Sequence, residues 1–249
     1  MEKARRQGFR NPLCPLDRTH HHPYSPNKRS IGIRAVGGQP IEIYRELSSG
    51  KTARFDEKLV HLLTCAARVF AEQGFEKASI RQVAQEAGFS LAGLYHYVDS
   101  KEELLFTIQF YTFGVLVEEL ENILNSPATA QDHLAEMVRA HVRYLVEHLP
   151  ELKVCTTELE SLHGAYYGRV LKRRQRYFGL TRGILDRLRK QDHGSRVESG
   201  LASLYLFGML NWIVMWFDPK RNDPADLSRS LVDLFLGGYR KASASESLK

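Results

Sequence analysis

Three histidines and a cysteine fall within one stretch of the chain: His133, His141, His148 and Cys155. Imidazole and thiolate are usual ligands of zinc, so a metal site is the first chemistry to weigh. The spacing argues against it. Steps of eight and seven residues put the histidines on one helical face but two turns apart, where side chains do not easily share one ion. They read as ordinary, partly buried histidines. His20-His21-His22 offers nitrogen ligands on a run without fixed geometry, which also makes a poor site. No set of nucleophile, base and orienting group stands out, no glycine loop is placed to cradle a phosphate, and there is no HExxH. The chain is therefore expected not to be an enzyme and to use no cofactor and no metal.

A cation poses a sharper question. The segment Tyr167 to Gln191 carries Arg169, Lys172, Arg173, Arg174, Arg176, Arg182, Arg187, Arg189 and Lys190 against one acid, Asp186. Its apolar positions Val170, Leu171, Tyr177, Phe178, Leu180, Ile184, Leu185 and Leu188 form a helical stripe. Arg174 lies four residues after Val170 and three before Tyr177, inside that stripe. A charge there must be paired or solvated. Two readings stay open: an ion pair with Glu158 or Glu160, or a grip on an anionic ligand such as the phosphates of an acyl-CoA.

The elements that would position these groups are helical. Leu59, Leu62, Leu63, Ala66, Val69 and Phe70 mark the buried face of a helix from about Phe55 to Gln73, ended by Gly74. Ser79 caps a second helix, with Gln82 completing a capping box, and Gly88 stops it. Ser90 caps a short third helix, Leu91 to Tyr97. Two helices joined by a tight glycine turn form a helix-turn-helix, whose second helix enters the major groove of DNA. Ser100 and Glu103 suggest another capping box, opening a long helix to about Leu124. Pro127 breaks the chain, Thr129 and Asp132 cap a helix to about Leu149, and Pro150 breaks it again. A short helix from Glu151 to Leu162 closes at His163-Gly164.

The run Ile80-Arg81-Gln82-Val83-Ala84-Gln85-Glu86-Ala87-Gly88-Phe89-Ser90, followed by Leu94-Tyr95-His96-Tyr97-Val98 and Ser100-Lys101-Glu102-Glu103-Leu104-Leu105, resembles the N-terminal domain of the TetR family of bacterial transcriptional regulators. Ala66-Ala67-Arg68-Val69-Phe70-Ala71-Glu72-Gln73-Gly74-Phe75 matches that family's first helix and its exit turn. The resemblance is specific over roughly Phe55 to Phe106; beyond it, helical layout carries it. It implies that Arg81, Ser90, Leu91, Ala92, Gly93, Tyr95, His96 and Tyr97 lie near bases or phosphates. It also implies that Lys101, at a helix start, reinforces a phosphate contact. Two positions depart from the family's habit. Leu91 stands where Lys or Gln is frequent, and Gly93 where Thr or Ser is. Leu91 can only touch a thymine methyl, so phosphate contacts and DNA shape are expected to carry more of the specificity.

Composition sets bounds. The chain has 249 residues, 43% of them hydrophobic, and a net charge of +6. Residues 1–50 hold nine Lys and Arg against four Asp and Glu, whereas residues 51–100 hold six of each. The basic balance thus belongs to the proline-punctuated N-terminal stretch, expected as a disordered basic tail, and not to the reader helices. The three cysteines form no CxxC, which favours a reducing compartment. No apolar signal follows the N-terminus, and the apolar run Leu201 to Phe217 is shorter than a membrane span. A cytoplasmic protein with no membrane partner is expected.

That apolar run is hydrophobic on all sides, so something must cover it on every side. Asp223-Pro224 opens a last helix with Leu227, Leu231, Leu234, Phe235 and Leu236, ended by Gly237-Gly238. The two helices resemble the family's dimerisation pair, a four-helix bundle across a two-fold axis. The segment Gly208 to Phe217 with Asp218-Pro219 is similar to family members that sense acyl-CoA thioesters. Arg174, Tyr177, Phe178, Met209, Trp212, Met215 and Trp216 are the expected ligand-binding residues.

The expected fold class is all-α. Residues 51–105 form a three-helix DNA-binding domain with a helix-turn-helix. Residues 106–240 form a ligand-binding and dimerisation bundle, and residues 241–249 a disordered tail. The expected function is a homodimeric regulator, a repressor, on a palindromic double-stranded DNA operator, released by an apolar or amphipathic effector such as an acyl-CoA. The alternatives are a sensor of drugs or aromatic compounds, and a ligand-free nucleoid factor that recruits a protein partner.

Overall fold

The computed structural model describes residues 53–191 and 197–241. The expected tails, 1–50 (with Cys14 and His20-His21-His22) and all but the first residue of 241–249, lie outside the described residues. All regular elements among the described residues are helical.

Helix α1 (Ala53–Gln73) ends at Gly74, whose φ of 81° only glycine adopts without strain. Helix α2 (Ile80–Glu86) starts on the expected box: the Ser79 hydroxyl accepts from the Gln82 amide, and the Gln82 side chain accepts from the Ser79 amide. Such a cap contributes about 1 kcal/mol. Gly88, at φ 70°, makes the turn into α3 (Leu91–Tyr95). That helix is shorter than expected, closing at His96. Helix α4 (Lys101–Leu124) begins at Ser100, whose hydroxyl accepts from the Glu103 amide. The return arm differs from the expectation: Glu103 accepts from the Asp99 amide, one residue earlier.

Helix α5 (Ala130–Glu147) is opened by the Thr129–Asp132 capping box. Helix α6 (Leu149–Thr157) follows at once, because Pro150 sits in its first turn, where no amide hydrogen is needed. A single 3-10 turn (Leu159–Ser161) leads into α7 (Gly164–Gln191). Helix α8 (Ser199–Trp212) tightens into a 3-10 turn (Ile213–Met215), and α9 (Pro224–Lys241) runs through Gly237-Gly238 instead of stopping there.

Two apolar clusters hold these helices. One joins α1, α2, α3 and the first half of α4 through Leu62, Phe70, Val83, Leu94, Leu104 and Leu105. The other joins the second half of α4 with α5, α7, α8 and α9 through Leu120, Leu134, Ile184, Leu206 and Phe235. Helix α6 belongs to both, giving Val154 to the first and Leu152 to the second. It packs along α1. No helix among the described residues is long and apolar enough to cross a membrane.

Candidate DNA-reading face and ligand cavity

The reading face is built by capping and by one buried leucine. Ser90 accepts from the Gly93 amide at 3.0 Å, which fixes the start of α3. Leu94 is fully buried and pins the helix to the core, leaving the opposite side outward. That side carries Leu91, 36% exposed, and Tyr95, 46% exposed, one turn apart. Ser90, Ala92 and His96 are exposed beside them, as is Arg81 at the first turn of α2. Arg81 has no ion-pair partner among the described residues. Tyr97 is half-buried, its ring edge against Phe89 at 5.4 Å. Gly93 has a local reason: a Cβ there would lie 3.1 Å from the Ser90 oxygen that caps the helix.

Lys101 departs from the expected phosphate contact. Its ammonium donates to the carbonyls of Phe75, Glu76 and Ala78 at 2.8, 3.4 and 3.1 Å and lies 4.2 Å from the centre of the Phe75 ring. An ammonium has three hydrogens, and the carbonyls that follow α1 take them. Lys101 thereby holds the exit turn of α1 to the start of α4.

The ligand-binding residues divide. A cavity of about 320 Å³ opens between α4, α5, α6, α7 and α8, lined by Phe113, Leu116, His141, Leu152, Cys155, Thr156, Arg174, Gln175, Tyr177, Phe178, Leu204, Phe207 and Asn211. Arg174, Tyr177 and Phe178 are thus brought together. Met209, Trp212, Met215 and Trp216 do not line it. Trp212 is 63% exposed, and Met215 and Trp216 also face outward. The cavity side of α8 is Leu204, Phe207 and Asn211, spaced three and four apart. A helix apolar on every side gives no periodic sign of which face turns inward, and this is where sequence reasoning missed the lining.

Arg174 forms no ion pair with Glu158 or Glu160 among the described residues. Its Nη1 donates to the Cys155 carbonyl at 2.7 Å, and the guanidinium carbon lies 5.0 Å from the centre of the Phe113 ring. Burial lowers its pKa. Glu158 is engaged elsewhere: it accepts from the Phe75 amide at 3.2 Å and from the Ser161 hydroxyl at 2.9 Å. The Glu158 carbonyl in turn accepts from the buried Gln109 amide at 3.0 Å. Helix α6 is therefore tied to the cavity at Cys155 and to the reading head just beyond its C-terminal end.

The histidines separate as expected of core residues. His133 meets Arg187 and the Ser126 carbonyl, His141 meets Tyr177, and the His148 ring lies tilted against Tyr144, 4.4 Å between centroids. No group of metal-ligating side chains gathers among the described residues. The Cys155 thiol, pushed up to about 12 by burial, stays protonated at neutral pH and is no nucleophile.

A regulator named PfmR from Thermus thermophilus, a TetR-family protein of known crystal structure, is 32% identical in sequence. It superposes with a TM-score of 0.65 over 71% of this chain and 97% of its own. The chain belongs to the TetR family. The model of bacterial regulatory proteins of the tetR family matches residues 62–108, and that of the tetracyclin repressor-like C-terminal domain matches residues 127–239. The protein is thus a TetR-family DNA-binding transcriptional regulator with a helix-turn-helix. The fatty acid metabolism regulator protein of Bacillus subtilis is 23% identical over 184 residues, 73% of this chain and 95% of that one. The fold is also shared with AibR, solved with isovaleryl coenzyme A and operator DNA, at 23% identity and a TM-score of 0.65 over 71% of this chain and 97% of that one. Residues Arg81 to Tyr97 fall within the first match, and most of the cavity-lining residues within the second.

Proposed function

We propose that the protein is a homodimeric repressor released from a palindromic operator by an amphipathic effector, an acyl-CoA thioester. The observation that carries the reading is Arg174, a half-buried guanidinium on the wall of an otherwise largely apolar cavity. Cavities of about 300 Å³ and above hold small ligands, and a few convergent polar groups set their orientation. Relatives named for fatty acid metabolism, and one bound to an acyl-CoA, support the same class of effector. A ligand-free nucleoid factor would have no use for this cavity, and a sensor of neutral drugs none for the cation.

Residues 51–105 are the DNA-binding domain in this reading and 106–240 the effector and dimer domain. Arg81, Ser90, Leu91, Ala92, Gly93, Tyr95, His96 and Tyr97 meet the DNA, with Leu91 on thymine methyls and the hydroxyls on phosphates. The dimer forms through α8 and α9. Leu201, Tyr205 and Trp212 of α8 and Leu234 of α9 are large apolar side chains turned outward, the signature of a surface that a second copy covers.

Coupling runs through α6. An anionic group on the effector competes with the Cys155 carbonyl for Arg174. The helix then shifts, and Glu158 carries the shift to Phe75 and the turn that Lys101 braces. The effector acts only to the extent that it prefers the form that does not bind DNA. Fluorescence anisotropy on DNA from the gene's own upstream region tests the function. Long-chain and steroid-type acyl-CoAs are expected to release the DNA at micromolar levels, and the free acids and free CoA are not. Persistent DNA binding under all thioesters would remove the acyl-CoA effector.

A further inference from the structure

The innermost wall of the cavity carries one polar pair that neither the DNA nor the anion grip uses. His141 of α5 and Tyr177 of α7 are each only 3% exposed. Their rings lie 18° from parallel, and His141 Nδ1 is 3.1 Å from the Tyr177 hydroxyl oxygen. Burial depresses the imidazole pKa to about 4, so the ring is neutral at physiological pH.

A neutral imidazole has one N–H and one bare nitrogen. Where Tyr177 donates to Nδ1, the hydrogen of His141 sits on Nε2 and is a donor without a partner. Where Nδ1–H donates to Tyr177, the phenol hydrogen and the bare Nε2 are left over. Among the described residues no hydrogen-bond partner of Nε2 is found. Either tautomer therefore leaves one hydrogen-bonding position that no protein group fills, on two residues that line the cavity. The Phe113 and Phe207 rings that pack against Tyr177 offer nothing to meet it.

We propose that the effector carries a neutral oxygen function, a carbonyl or hydroxyl, that seats on the His141–Tyr177 pair while its charged portion lies toward Arg174. This rests on the reading that the cavity is the effector site. Arg174 and Tyr177 are one turn apart on α7, about 5 Å along its axis, with Arg174 the more exposed of the two. An anion belongs at the guanidinium. A neutral acceptor or donor belongs at the neutral pair, where a second charge would be left unbalanced. A thioester carbonyl, or a keto or hydroxy group on the acyl chain, has this chemistry.

The test uses the full chain and two matched probe pairs, with binding read by calorimetry and the ring nitrogens of His141 read by nitrogen NMR. The first pair is hexanoyl-CoA and S-hexyl-CoA, a thioether that lacks the carbonyl. The second, without nucleotide, is methyl hexyl ketone and an octene of the same length. The carbonyl member of each pair is expected to bind about tenfold or more tightly than its partner, since a site built for a hydrogen bond rejects the analogue lacking it. It should also shift the His141 Nε2 resonance. Tyr177→Phe should lower both ratios, and the double variant with His141→Leu, which removes both polar groups, should bring them near one. Discrimination by the ketone pair without binding of either CoA probe upholds the polar pair and removes the acyl-CoA reading. Equal binding within both pairs overturns the inference and leaves the cavity as an effector site. Binding of no probe overturns both.

Discussion

Glu158 accepts a hydrogen bond from the Phe75 amide at 3.2 Å, joining residues 83 positions apart in sequence. The contact links the end of α6 to the exit turn of α1, and so links the neighbour of the cavity to the reading head. Glu158→Ala is expected to leave thioester affinity and DNA affinity each within about threefold, and to shrink the effect of either on the other. Glu158→Gln keeps an acceptor oxygen and should restore the coupling. The check is the operator Kd with and without saturating thioester for both variants. Full coupling in Glu158→Ala would place the route elsewhere, along α4.

Arg174→Met removes the guanidinium proposed to form a charge-assisted hydrogen bond with the effector's anionic group and keeps an apolar side chain of similar reach. Such bonds contribute about 1.5–3 kcal/mol, so thioester affinity should fall roughly 10- to 100-fold. Affinity for a neutral ketone should change little. Calorimetry with both probes measures this. An equal loss for both would make Arg174 a structural residue of α7.

Lys101 and Arg81, both expected at the DNA, differ in their surroundings: Lys101 donates to three carbonyls, whereas Arg81 is exposed. Lys101→Met should cost about 2 kcal/mol, roughly 4–8 °C in Tm, because three carbonyls after α1 lose their donor. The salt dependence of DNA binding should keep its slope. Arg81→Ala should leave Tm unchanged and flatten that slope by about one. Melting curves and salt titrations separate the two.

Glu151, near Thr64 and Arg68 of α1, is pushed up to about 7 by burial, from an ordinary 4.5. Between those values the unfolded chain releases a proton that the folded chain retains. Its contribution to stability therefore falls as pH rises through that window and is constant above it. Glu151→Gln should raise Tm relative to the parent at pH 8 and change it little at pH 4. Melting curves across that range test the sign, and a gain confined to acid pH would reverse it.

Helix identity, caps and the reading motif were legible because they are local. Ser79 with Gln82, Thr129 with Asp132, and Gly74 and Gly88 each encode their own turn. Pro150 misled because proline both ends helices and opens them, and only the neighbouring backbone decides. The partner of Lys101 was not legible, since it depends on carbonyls more than twenty residues upstream. Arg174 stood out as a charge in an apolar stripe, but its acceptor was a backbone oxygen, which no side-chain pattern reveals. The Met and Trp residues after Gly208 were expected in the cavity. Trp212, Met215 and Trp216 instead turn outward, which the sequence did not show because the run has no polar face.

Occupation of the cavity and binding of DNA are expected to oppose each other. The most direct test measures both arms of one thermodynamic cycle: operator Kd with and without a saturating acyl-CoA, and acyl-CoA Kd with and without operator. Each ligand should weaken the other by the same factor, about tenfold or more. A factor of one in both arms, with both ligands bound, would contradict it.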